Sequence, residues 1–98
     1  MLGPGKADLL EAVDRTGSLR LAADELAMSY MRAWSLVRAM NRSFREPPVE
    51  LSRGGRAHGG ACLTSTGKRI VSLYREMERA SREATSSSWR KLRGLLRS

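Results

Sequence analysis

Three patterns in this chain predict a mainly α-helical fold with one small β-hairpin. Short segments with one-sided apolar spacing follow one another across brief connectors, a stretch of alternating apolar residues runs into a glycine-rich loop, and a long apolar stripe fills the last third.

The elements follow in order. Pro4 suits a helix start, and Ala7, Leu9, Leu10, Ala12 and Val13 share one helical face until Gly17, free to take positive φ, ends the segment. Ser18 is placed to cap a second, short helix in which Leu19, Ala22, Ala23 and Leu26 fall at i, i+3, i+4 and i+7. The small pair Ala22-Ala23 admits a close helix neighbour. After the connector Ala27-Met28, Ser29 caps a third helix expected from Tyr30 to about Arg45. Its apolar stripe is Ala33, Val37, Met40 and Phe44, and Pro47-Pro48 ends it. Tyr30, Met31, Arg32, Ser35, Arg38 and Arg42 lie off that stripe.

Residues 49–53 alternate with period two and predict a strand; residues 54–60 hold four glycines; Ala61-Cys62-Leu63 predicts the return strand. Thr64 caps the last long helix, where Ile70, Leu73, Tyr74, Met77, Ala80 and Ala84 form a near-heptad seam that requires a partner. The run Thr85-Ser86-Ser87-Ser88 predicts a loosening, with a separate basic amphipathic tail over 85–98 carrying Trp89, Leu92, Leu95 and Leu96. Packing on a dimer, contact with nucleic acid and an acidic membrane surface are all open to that tail.

Composition narrows the function. A chain of 98 residues makes one compact domain, and 5% aromatic content leaves its core to Leu, Val, Ala and Met. The net charge of +8 arises entirely from residues 51–98, which carry eleven basic and three acidic side chains. Such a balance suits a polyanion binder better than an enzyme. The single cysteine, Cys62, excludes an intramolecular disulfide, and the N-terminus has neither a secretory leader nor a membrane span, so a cytoplasmic protein is expected. His58 and Cys62 alone do not make a metal site, and no cofactor is expected. Gly67-Lys68 lacks the rest of a phosphate loop: Cys62 stands where its first glycine belongs, and no Ser or Thr follows the lysine. No nucleophile–base pair stands out, so catalysis is not expected.

Helix, helix, helix, strand, loop, strand, helix is the order of a winged helix-turn-helix, whose second short helix reads DNA. The sequence also resembles a known family. Gly17-Ser18, Ala22-Ala23, Met28-Ser29-Tyr30, Ala33-Trp34 and Met40-Asn41 are spaced as in the N-terminal domain of ModE-type regulators, and Gly54-Gly55, Gly59-Gly60-Ala61, Leu63-Thr64 and Gly67 continue the likeness, over roughly residues 3–84. LysR-type regulators share the outline. The resemblance implies a dimeric winged-helix DNA-binding and dimerisation domain over 1–84, with long helices pairing the subunits through Ile70, Leu73, Tyr74, Met77 and Ala80. Full-length members add C-terminal molybdate-binding domains. These 98 residues leave no room for them, so molybdate binding is not carried over. The chain departs from the family pattern at Ala27, where glycine is frequent, at Met31, where a basic residue is frequent, and at Ala57 and His58 in the wing.

Candidate DNA contacts follow from these placements. Ser29 and Tyr30 stand at the N-terminus of the reading helix, and Arg32, Ser35 and Arg38 on its outer side; an arginine fork fits guanine O6 and N7. Ser18 begins the preceding helix, where capping and phosphate contact are both available to it. Trp34 either packs beneath the wing, the reading preferred here, or presents an edge to DNA. Arg53, Arg56 and His58 are the wing candidates for a narrow minor groove. The basic face Lys68, Arg69, Arg75, Arg79 and Arg82 reads as solvated surface. The expected function is sequence-specific transcriptional control by a homodimer on double-stranded DNA. The alternative is a protein-interaction module on the same scaffold, with DNA binding weak or incidental.

Overall fold

The computed structural model describes residues 4–52 and 60–97. Its elements are α1 (Pro4–Thr16), α2 (Leu19–Glu25), α3 (Tyr30–Ser43), β1 (Val49–Ser52), β2 (Gly60–Leu63) and α4 (Ser65–Arg93). This is the predicted order. The expected wing tip, with Arg53, Arg56 and His58, lies outside the described residues.

The first three helices close around one apolar core. Leu9, Leu10 and Val13 of α1 meet Leu19, Ala22 and Ala23 of α2 and Ala33, Val37 and Met40 of α3, with Val49, Ala61 and Leu63 of the hairpin completing the cluster. Fully burying one such Leu or Val contributes about 1.5–3 kcal/mol. The alanine pair of α2 is almost wholly covered, which allows the close helix approach that its size suggested.

Local chemistry sets the helix ends. Gly17 ends α1 with φ 70°, its N–H closing on the Val13 carbonyl at 2.8 Å. The Ser18 hydroxyl accepts from Leu21 N–H and caps α2, and the Ser29 hydroxyl accepts from Arg32 N–H and caps α3, as predicted. Between α2 and α3 Ala27 takes φ 54°, a left-handed conformation that costs a residue with a β-carbon about 1–2 kcal/mol.

The hairpin is antiparallel, with Val49 opposite Leu63 and Ser52 opposite Gly60. It is sewn to the helices at three places. Ala61 N–H donates to the Gly17 carbonyl at 3.1 Å, beside a bridge between Ser18 and Gly60. Asn41 of α3 grips both backbone groups of Val49: its Nδ2 donates to the carbonyl at 3.0 Å and its Oδ1 accepts from the N–H at 3.1 Å. The Thr64 hydroxyl donates to the Pro47 carbonyl at 2.8 Å and accepts from Gly67 N–H, capping α4. A β-carbon at Gly67 would collide with the carbonyl oxygen of Pro48, so that glycine serves close packing of α4 on the chain entering β1.

Four sequence expectations are corrected. α3 stops at Ser43 rather than Arg45, because the ring of Pro47 would clash with the Ser43 carbonyl in a continued helix. Phe44 therefore leaves the stripe: it adopts an extended backbone and is 36% exposed. The alternation of β1 does not translate into alternating burial, since Val49 is buried but Leu51 is exposed. Residues 85–88 do not loosen the chain; α4 runs through them unbroken, and the Thr85 and Ser86 hydroxyls donate to the Ser81 and Glu83 carbonyls at 2.8 and 3.0 Å. Small hydroxylated residues can be absorbed into a helix in this way.

Candidate nucleic-acid interface

The caps and the core fix how α3 is turned. Ala33, Val37 and Met40 are buried inward, so Met31, Ser35, Arg38 and Arg42, at i, i+4, i+7 and i+11, share the opposite, exposed face, with exposed Arg32 on its flank. Residues 30–43 contain no acidic side chain. Among the described residues no ion pair involves Arg32, Arg38 or Arg42. Arg42 shares the face with the predicted site residues. Its helical spacing from Arg38 and Ser35 was the signal that could have placed it with them.

In α2 and α3 two arginines are held over aromatic rings, as Arg75 of α4 is over Tyr74 at 6.0 Å. The Arg38 guanidinium lies 4.7 Å from the centre of the Trp34 ring, one turn earlier on α3. Trp34 is half-buried against the core and also supports Arg38. The Arg20 guanidinium of α2 lies 5.4 Å from the Tyr30 ring, which likewise packs on the core. Tyr30 thus joins the two short helices. The Ser18 and Ser29 hydroxyls are engaged as caps, and Ser35 is exposed.

α4 carries a different chemistry. Arg75 bonds Glu11 and Asp8 of α1 and Glu78 of its own helix, and these carboxylates, Glu11 foremost, hold its guanidinium pKa above the ordinary arginine range. Within the expected basic face it is the residue that docks α4 onto α1. Ile70 is half-buried against its own core and Tyr74 is half-buried, whereas Leu73, Met77 and Ala80 are exposed, Met77 by 62%. Trp89 and Leu92 further along α4 are also exposed. No helix among the described residues is long and apolar enough to cross a membrane.

Three helices, a two-stranded antiparallel hairpin and a long closing helix define a winged helix-turn-helix fold. The structure of the CbnR DNA-binding domain in complex with DNA matches 92% of this chain and 99% of its own at TM-score 0.68 and 22% identity, a likeness of fold. By sequence, the chain is homologous to the N-terminal helix-turn-helix domain of ModE-type proteins. It is 46% identical over 70 residues to the molybdenum transport protein ModE of Azotobacter vinelandii. It is 40% identical over 86 residues to the molybdenum-pterin-binding protein MopB of Rhodobacter capsulatus, and 35% over 71 residues to the DNA-binding transcriptional dual regulator ModE of Escherichia coli. These alignments take in 88% of this chain for MopB, and 71% and 72% for the two ModE proteins. The chain spans only about a third or less of the length of these relatives: 32% for MopB, 26% and 27% for the ModE proteins. None of them is named as an enzyme. No family model matches the chain.

Proposed function

We propose that the chain is a sequence-specific DNA-binding transcriptional regulator acting as a homodimer. Residues 1–84 would supply DNA binding and dimerisation. The observation that carries this reading is the outer face of α3, where Arg32, Arg38 and Arg42 are exposed and form no ion pair among the described residues, on a helix without an acidic residue. An uncompensated basic helix of groove-fitting width suits the major groove of duplex DNA. Arg38 takes a guanine edge, Arg32 and Ser35 contact the neighbouring bases or phosphates, and the helix ends at Ser18 and Ser29 face the backbone. Arg53, Arg56 and His58 of the wing extend the contact to the adjacent groove.

The seam of Leu73, Met77 and Ala80, with Ile70 and Tyr74 at its inner edge, pairs two copies and sets two half-sites about one helical turn apart. The likeness to ModE proteins, one of them named a DNA-binding transcriptional dual regulator, supports the reading. Titrating labelled duplex at several salt concentrations, beside a light-scattering mass, tests it. Affinity should fall steeply with salt, with a logarithmic slope of roughly −0.9 per phosphate contacted, and the mass should be that of two chains. Negligible affinity at modest salt would instead favour a protein-interaction module.

A further inference from the structure

The outer face of α3 contains one apolar side chain. Met31 is 65% exposed and is absent from the apolar cluster that takes in its neighbours Met28, Tyr30 and Trp34. Single exposed apolar residues are ordinary on protein surfaces. Position gives this one its meaning: Met31 stands in the first turn, flanked by Arg32 and followed on the same face by Ser35 and Arg38.

The floor of the major groove is a pattern of hydrogen-bond donors and acceptors with one projecting apolar group, the C5 methyl of thymine. An unbranched thioether with three rotatable bonds can follow such a methyl into contact. Arg38 lies seven residues on, roughly 10 Å along the helix axis, or about three base-pair rises. Its stacking on Trp34 limits where the fork can point.

We infer that Met31 reads a thymine methyl in the major groove, about three base pairs from the guanine taken by Arg38. The half-site is then one that needs both a T and a G, a specification that rests on the DNA-binding reading above.

The test uses the full chain. Duplexes are selected from a random pool, and each thymine of the selected site is replaced in turn by deoxyuridine, which removes one methyl and keeps every hydrogen-bonding group. One position per half-site should weaken binding by about 3- to 10-fold. Met31→Ala should bind the thymine and uracil duplexes equally, while Met31→Leu should keep the preference. Met31 is exposed, so both variants should melt as the parent does, which circular dichroism checks. Selected duplexes with no uracil-sensitive position, or a sensitivity that survives in Met31→Ala, would overturn the inference and leave DNA reading by Arg38 standing. Failure to select any duplex would overturn both.

Discussion

At the seam between α1 and α4, Arg75 is ringed by Glu11, Asp8 and Glu78; on the outer face of α3, Arg32, Arg38 and Arg42 meet no carboxylate among the described residues. Residue type is the same in both places, and the surroundings assign opposite tasks. A guanidinium with internal partners spends its directional bonds on holding two helices together. One supported only by the face of an indole keeps its hydrogen-bond donors for something outside the chain. Net charge alone would not separate these surfaces, because the +8 is concentrated in the half that contains Arg75, while α3 lies in the half that sums to zero.

That contrast can be broken by exchanging the consequences. The largest effect expected is from Arg38→Ala: binding to a selected duplex should fall about 10- to 100-fold, with a smaller loss on random DNA and little change in melting temperature. Equal losses on both DNAs would reduce Arg38 to a phosphate contact. Trp34→Leu, built on the same stack, should repeat part of that loss, and a double-mutant cycle should find the two changes strongly non-additive. Additivity would separate the ring from the reading of DNA.

Arg75→Met is expected to do the reverse. Stability should drop by about 1 kcal/mol, read from the denaturation midpoint, with affinity and salt slope preserved. A change in salt slope would mean that Arg75 faces DNA after all. The smallest effect is at the turn that orients α3. Ala27→Gly should stabilise by up to about 1 kcal/mol, since glycine enters the left-handed region without the steric cost, partly offset by its looser unfolded chain. A loss of stability on that substitution would show that the turn tolerates alanine without strain.

How far the sequence reveals this depends on the range of each interaction. Ser18 and Ser29 announced their helices because a cap bonds a residue three positions on. The outer face of α3 was readable from the spacing of Ala33, Val37 and Met40, which leaves Ser35 and Arg38 opposite. The pairings that fix the frame were not readable. Asn41 acts on the backbone of Val49 after an intervening turn, and Arg75 reaches residues 64 and 67 positions earlier. Both contacts exist only after the core has closed. Residues 85–88 misled for another reason: serine and threonine serve loops and helix turns alike, and their choice depends on the helical segments on either side.

The bond from Ala61 to Gly17, with the bridge from Ser18 to Gly60, has a consequence for the kind of DNA site proposed for this chain. It ties the returning strand of the hairpin to the threshold of α2, and α2 packs on α3 through the shared core, with Arg20 over the Tyr30 ring beside it. The described strands of the hairpin and α3 are thereby held in one frame. If the proposed DNA reading holds, inserting a single base pair between the stretch touched by the helix and the stretch touched by the hairpin should abolish simultaneous engagement, whereas in the proposed dimer the spacing between half-sites would be set separately, by α4.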